Sequence, residues 1–370
     1  MKNVAFVCFN HADRYSGGRM HALYLAFAFA KAGYEVDLYT NEKPIFYDDI
    51  ARIFGETTIR LIVNKYFLWR RKRKDYIHVV FPPHVGRRRF ADVADKLLIY
   101  PFVRRLKRNV GTTLWLLDFE SPEWKSEIDD TVMHGYRNVI GLMKYVDVVL
   151  STTRTGEAYA RRFYGKLNPH LKFKQLYLCI NSSVADRLGY QQERQDRAVV
   201  FFRTGEAHKN NESIVNMVRS LPRGFSLLLL GRFRESDENF IHQLKMVGEE
   251  HGISIEQESK VSEERKFEIL ATSRLLFFSS KFEGYGLPPV EAQYVGTPVV
   301  CSKLPVLREV NKYAEFADFT NLPELKSAVL KALSVDKTLL HDTICVFANI
   351  STFCNRLKQI ALSIENRGEP

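Results

Sequence analysis

The sequence predicts an α/β protein of two domains, each an open parallel sheet with helices on both faces. Three observations predict it. Apolar runs of strand length alternate with helical patterns; the alternation runs through the chain twice; and a polar, charge-rich segment, Asp186–Arg197, separates the two rounds. The length agrees, since 370 residues at roughly 100–200 per domain give two domains most simply. A composition of 45% hydrophobic and 26% charged residues is that of a globular protein and excludes disorder, collagen and coiled coil as the main class.

The first round opens with Val4–Phe9, an apolar run that reads as a buried parallel strand. A polar loop follows, ending in Ser16-Gly17-Gly18. A helical pattern then runs from Arg19 to Ala32 and stops at Gly33, a residue type suited to ending helices. Tyr34–Tyr39 is the next strand. Ile59–Val63, Tyr76–Phe81, Thr112–Leu117 and Val146–Ser151 are further strands, with helical stretches between several of them. The second round begins with Ala198–Phe202 and Ser226–Leu230, with a helix over Asn211–Ser220 between them. Ile253–Glu256 is a short strand, Glu263–Ala271 a helix and Arg274–Ser279 a strand. Glu291–Val295 belongs to a helix, Pro298–Cys301 to a strand, and Asn349–Ile364 is a final helix. The expected organisation is residues 1–182 as the first domain, 183–197 as a linker and 198–349 as the second. The last helix, about residues 350–370, is expected to pack back on the first domain. Ligands of such sheets bind beyond the carboxyl ends of strands, and with two sheets the natural site is the cleft between domains.

The net charge is +11, and it is uneven. Residues 1–180 carry 30 Lys+Arg against 18 Asp+Glu, whereas residues 181–370 carry 24 against 25. Three basic clusters, Arg70–Lys74, Arg87–Arg89 and Arg104–Arg108, lie in the first half. Such a surface attracts anions: phosphorylated substrates, anionic lipid or nucleic acid. The aromatic run Tyr66-Phe67-Leu68-Trp69 beside the first cluster suits a membrane interface; a solvated basic face is the alternative. Nucleic acid fits less well, because no nucleic-acid motif accompanies the clusters. The longest apolar run, Ala22–Ala30, is far short of the roughly 20 residues of a membrane span. The N-terminus enters a strand-like run without a signal-peptide pattern. The five cysteines, Cys8, Cys179, Cys301, Cys345 and Cys354, include no Cys-x-x-Cys pair. These features lead to an expectation of reduced thiols in a cytoplasmic protein.

The most informative segment is Ser279-Ser280-Lys281-Phe282-Glu283-Gly284-Tyr285-Gly286-Leu287-Pro288-Pro289-Val290-Glu291-Ala292. It leaves a strand and enters a helix. Gly284 and Gly286 permit a tight loop with exposed amides, and the prolines suit a helix start. Amides at such a start form an anion or hydroxyl site. Glu283 and Glu291 place a carboxylate on either side of the loop.

With seven residues between Glu283 and Glu291, with Glu-Gly-Tyr-Gly-Leu-Pro starting at Glu283 and Gly296-Thr297-Pro298-Val299-Val300 following, the segment resembles the Glu-x7-Glu signature of retaining GT-B glycosyltransferases, family 4 in particular. The resemblance extends over most of the chain. Arg203 and Lys209 resemble the family's Arg…Lys pair that grips the donor diphosphate. Gly231, after Leu227–Leu230, matches the glycine that follows the next strand. Gly17 and Gly18 resemble the glycine loop of the first domain, and Glu309 matches a commonly acidic position. The resemblance implies the GT-B fold, two Rossmann-like domains facing a central cleft. It implies a nucleotide-sugar cosubstrate, retention of anomeric configuration and no metal. Glu283 would hold sugar hydroxyls near the anomeric carbon and Glu291 the ribose hydroxyls, with Gly284, Tyr285, Gly286 and Leu287 lining the donor. As the donor departs, charge grows on its phosphate oxygens, and Arg203 and Lys209 suit that charge. No Asp-x-Asp metal motif is found; Asp48-Asp49 and Asp129-Asp130 are adjacent pairs read as surface charges.

One position departs from the family. Relatives often carry a His at the end of a first-domain strand, near the reacting sugar. In Leu116-Leu117-Asp118-Phe119-Glu120-Ser121-Pro122, Asp118 holds that place and Glu120 follows two residues on. Either carboxylate suits a proton acceptor or a stabiliser of positive charge, and either suits a cap for a helix starting near Pro122. His84 is a spare candidate.

The expected function is therefore a retaining, metal-independent glycosyltransferase. Its acceptor is expected to be a glycan or a lipid-linked molecule, in surface polysaccharide, lipopolysaccharide or glycolipid assembly. The basic first domain is expected to meet the anionic inner face of the membrane. The alternative is a non-catalytic GT-B-like protein that binds nucleotide or glycan in a membrane-associated assembly. A nicotinamide dehydrogenase is disfavoured, because no Gly-x-Gly-x-x-Gly follows the first strand.

Overall fold

The computed structural model describes residues 2–7, 17–40, 42–57, 59–63, 75–81 and 112–366. The chain divides into two compact units. One comprises residues 1–178 with 351–370, the other residues 179–350.

Among the described residues, the first unit is built on a seven-stranded sheet: β1 (Asn3–Val7), β2 (Glu35–Thr40), β3 (Ile59–Val63), β4 (His78–Phe81), β5 (Thr113–Asp118), β6 (Val148–Ser151) and β7 (Lys172–Gln175). Their order is β3-β2-β1-β4-β5-β6-β7, and all the pairings are parallel. The central strands β1, β4, β5 and β6 are almost wholly buried, as suits a parallel sheet covered on both faces. Helix Gly17–Lys31 crosses from β1 to β2 and ends at Gly33, whose φ of 95° lies in the left-handed region. The order switches direction between β1 and β4, so the carboxyl edge there is where such sheets receive ligands. Cys8, His84, the aromatic run at 66–69 and all three basic clusters lie outside the described residues.

Helix Ile350–Glu365 belongs to this unit although its sequence follows the other. Its last residue fixes it there. Glu365 accepts from Tyr34 Oη at 2.6 Å, lies 2.9 Å from His78 Nε2 and pairs with Lys2. Trp115 Nε1 donates to His78 Nδ1 at 3.2 Å, which places the His78 proton on Nε2, facing Glu365. Burial lowers the His78 pKa, keeping the ring neutral.

The second unit has a six-stranded sheet: β8 (Gln195–Arg203), β9 (Ser226–Arg232), β10 (Ser254–Ser259), β11 (Ser273–Phe278), β12 (Val299–Cys301) and β13 (Glu315–Phe316), in the order β10-β9-β8-β11-β12-β13 and again parallel. The switch lies between β8 and β11. Ile214, Leu227, Leu229, Leu275, Phe277 and Val300 are among the residues of its buried core.

The expected linker is corrected here. Within 183–197 lie most of helix Ser182–Leu188 and the first three residues of β8. Two arginines account for the difference. Arg194 donates to Ser273 O at 2.6 Å, Thr297 Oγ1 at 2.6 Å and Val295 O at 2.9 Å. Arg197 donates to Ser273 Oγ at 2.9 Å and Thr272 Oγ1 at 2.8 Å. A segment that reads as solvated is thus bound by its own polar side chains. Burial lowers Arg194 to about 10, a sign of how far it is drawn from water.

No described helix is long and apolar enough to cross a membrane. Asp48 pairs with Lys43 at 2.7 Å, and Asp49 pairs with Arg52; both aspartates are exposed surface charges. Asp129 Oδ1 accepts from Thr131 N at 3.0 Å and Thr131 Oγ1 at 2.6 Å.

Candidate functional site

The site in the second unit is assembled from the loops that leave β8 and β11, the strands flanking the switch. β8 ends at Arg203, and a short 3-10 turn, Ala207–Lys209, follows. Asn210 comes next with φ 59°, a left-handed conformation that Asn tolerates better than most residues. This lets the chain reverse and lays it against the loop after β11. Lys281 N donates to His208 O at 2.7 Å, Asn210 Nδ2 to Ser279 O at 3.2 Å and Ser279 Oγ to Lys209 O at 3.3 Å.

On this frame Lys209 Nζ meets Glu283 Oε1 at 2.6 Å. Lys209 is 19% and Glu283 15% exposed, so the pair is shielded enough to hold its geometry yet open to a ligand. Arg203 Nε lies 3.1 Å from Glu206 and is about half exposed. Gly231 on β9 pairs with Phe202, one residue before Arg203. A Cβ at Gly231 would stand 1.9 Å from Phe202 O. The glycine is therefore required by the close approach of the two backbones.

Helix Leu287–Tyr294 starts from Gly286, which has φ 85°. A Cβ there would lie 2.4 Å from Leu307 Cδ2. Pro288 and Pro289 have no N–H, so the first turn of this helix carries only the amides of Leu287 and Val290. Glu291, on the same helix, is 4% exposed. Lys266 Nζ lies 2.8 Å from Glu291 Oε1, and Lys266 is also held by Glu263 at 2.9 Å. Burial raises the Glu291 pKa, and Lys266 opposes that rise. Glu309 lies on helix Pro305–Val310.

The first unit carries the remaining candidates. Gly17 and Gly18 are the first two residues of helix Gly17–Lys31 rather than the end of the loop before it. Asp118 is the last residue of β5, 3% exposed, and pairs in register with Ser151 at the end of β6. Among the described residues neither of its oxygens has a hydrogen-bond partner of good geometry, the Glu120 amide being the nearest donor. Burial raises its pKa to about 7; the nearby Glu120 amide works against that rise and the Glu120 carboxylate adds to it. Its charge in turn helps raise the hydroxyls of Tyr136 and Tyr164, which burial raises first. Glu120 pairs with Lys125, and its carbonyl accepts from Tyr136 Oη at 3.1 Å.

The structure therefore brings together Arg203, Lys209, Gly231 and Glu283 with the loop 284–286. Glu291 sits one helix turn further on, and Gly17, Gly18, Asp118 and Glu120 belong to the other unit. Chemically, the first group offers two cations, each beside a carboxylate (Arg203 with Glu206, Lys209 with Glu283), a set able to meet an anion and to accept from hydroxyls.

Comparison with known proteins fits this arrangement. Residues 189–342 match the family model described as glycosyl transferases group 1. The matched segment is less than half of the chain. It contains Arg203, Lys209, Gly231, Glu283 and Glu291. The O-antigen chain mannosyltransferase B of Escherichia coli is 30% identical over 141 residues, which are 37% of this chain and 37% of that protein. The match thus spans little more than a third of that relative. Sucrose-phosphate synthase from Thermosynechococcus elongatus superposes with a TM-score of 0.71 at 13% identity, over 98% of this chain and 99% of that one. Anabaena HepE, in complex with UDP and glucose, superposes with a TM-score of 0.65 at 12% identity, over 98% and 100%. At such identities the likeness is one of fold, and the fold is GT-B: two α/β units on parallel sheets.

Sequence reasoning missed two residues that shape the site. Asn210 carries a signal in the pair Asn210-Asn211, a turn-prone dipeptide after Lys209. Lys266 carries none, because nothing in a helix 25 residues before Glu291 marks which lysine turns inward.

Proposed function

We propose that the protein is a retaining, metal-independent glycosyltransferase that moves a sugar from a nucleotide-sugar donor to a glycan or lipid-linked acceptor, in surface polysaccharide, lipopolysaccharide or glycolipid assembly. The observation that carries the reading is the Lys209–Glu283 contact beside Arg203, at the carboxyl ends of β8 and β11 in the segment that matches the group 1 model. The mannosyltransferase relative and the UDP and glucose bound by HepE support the donor and acceptor classes.

In this reading residues 198–349 bind the donor and residues 1–182 the acceptor. Arg203 and Lys209 neutralise the diphosphate as the bond from the anomeric carbon to phosphate oxygen breaks. The loop amides of Gly284–Leu287 add donors preorganised for the same charge. Glu283 holds sugar hydroxyls and Glu291 the ribose. The acceptor oxygen bonds to the anomeric carbon on the face the diphosphate leaves, and its proton passes to a released phosphate oxygen or to a carboxylate. Asp118 and Glu120 are the assigned carboxylates. The basic clusters of the first half bring the protein to the anionic inner membrane face.

The test is turnover in the presence of EDTA, with the anomeric configuration of the product read by NMR. Transfer with retention is the expected result. Binding of nucleotide sugar without transfer to any glycan or lipid-linked acceptor would favour a non-catalytic binding protein.

A further inference from the structure

A second cluster of reactive side chains lies on helix Lys337–Ala348, which packs against the helix that carries Glu291. His341 and Cys345 stand one turn apart, with Asp342 between them. The imidazole nitrogen, the thiol sulfur and a carboxylate oxygen lie within 4.8 Å of one another. Histidine 341 is unusually well fixed. Its ring stacks on Tyr190 at 4.3 Å between centroids and meets Tyr294 edge-on at 5.2 Å. Its Nδ1 lies 2.5 Å from Tyr294 O. A carbonyl only accepts, so Nδ1 carries the proton and Nε2 keeps its lone pair. That is how protein scaffolds orient an imidazole for a metal.

A second carboxylate is at hand. Asp186, on helix Ser182–Leu188, accepts from Tyr294 Oη at 2.7 Å. Burial raises the pKa of the Cys345 thiol, and the charges of Asp342 and Asp186 add to that rise. All these residues belong to one unit, 179–350.

We propose that His341, Asp342 and Cys345, with Asp186 beside them, form a binding site for a divalent transition metal of the zinc type. One imidazole, one thiolate and carboxylate oxygen make a borderline-soft set suited to tetrahedral coordination, and unsuited to magnesium or calcium. Bond lengths of about 2.0–2.3 Å place neighbouring ligand atoms about 3.3–3.8 Å apart, within reach of side-chain rotation from the present spacing. Binding forms a metal–sulfur bond and releases the Cys345 proton to solvent. The ion would clamp helix Lys337–Ala348 and, through the Tyr294 carbonyl, the end of the helix that carries Glu291. It takes no part in the transfer reaction, and the inference stands independently of that reaction.

The test uses the full, tag-free chain, reduced and stripped with chelator, and titrated with cobalt(II). The expected result is a thiolate-to-cobalt charge-transfer band in the near ultraviolet, saturating at one metal per chain and bleached by zinc. Cys345→Ser removes the band, Cys354→Ser leaves it, and His341→Ala weakens binding by at least about tenfold. Circular dichroism checks that each variant folds, and Cys345→Ala replaces the serine variant if it does not. Absence of the band, or a band of unchanged intensity in the Cys345 variants, overturns the proposal.

Discussion

Lys209 Nζ lies 2.6 Å from Glu283 Oε1 and joins the loop leaving β8 to the loop leaving β11. Under the proposed reading these two residues face different parts of one ligand, the cation its diphosphate and the carboxylate its sugar. A diphosphate must therefore compete with Glu283 for Lys209. Lys209→Ala is expected to lower turnover by about 10²–10³. Glu283→Gln is expected to lower turnover while tightening the free nucleoside diphosphate, because it removes the competing charge. Calorimetric titration of both variants reads the opposite signs; equal weakening would contradict the competition.

Gly231→Ala tests the approach of β9 to β8. The added carbon would sit 1.9 Å from Phe202 O, so the strand that ends in Arg203 has to move. A loss of about 1–3 kcal/mol or more is expected from overpacking, together with weaker nucleotide binding. Denaturant unfolding and titration measure the two; unchanged stability would mean that the strands separate freely there.

Lys266→Met isolates a buried charge. Glu291 is 4% exposed and Lys266 is its partner at 2.8 Å. Removing one member of such a pair costs about 3–5 kcal/mol. The double variant Lys266→Met/Glu291→Gln is expected to recover most of that loss in a urea titration. If the double variant is no more stable than the single, the pair does not carry the cost.

Asp118 gives the protein a pH signature. Its pKa rises from an ordinary 3.8 to about 7 on folding, through burial. The folded state therefore binds this proton more tightly. The corresponding stability is full below about pH 4 and is lost as pH rises through about 7. Asp118→Asn has no such group, so it is expected to gain in melting temperature over wild type from pH 5 to pH 8. A difference that stays constant over that range would contradict the assignment. If Asp118 accepts the acceptor's proton, the same variant loses about 10²–10⁴ in turnover.

The fold is legible in the sequence wherever burial is two-sided, because an apolar run then marks the element. Ile59–Val63 and Glu263–Ala271 have the bounds their patterns predict. Lys172–Gln175 carries no such mark, since β7 is an edge strand with polar residues. The stretch 183–197 misleads because Arg194 and Arg197 are drawn against the sheet by hydrogen bonds that composition does not encode. The site is legible where motif spacing is local, as from Glu283 to Glu291. It is not legible where partners come from different elements: Lys266 meets Glu291, 25 residues on, only in three dimensions.

The central claim is a nucleotide-sugar site built on Lys209 and Glu283, and thermal shift against a panel of nucleoside diphosphates and nucleotide sugars tests it most directly. A ligand at a hundredfold its Kd stabilises by about 2.7 kcal/mol, a clear rise in melting temperature. The account predicts that one nucleotide base gives that rise, that EDTA does not diminish the increment, and that Lys209→Ala abolishes it. No response to any nucleotide, or an undiminished response in folded Lys209→Ala, would contradict it.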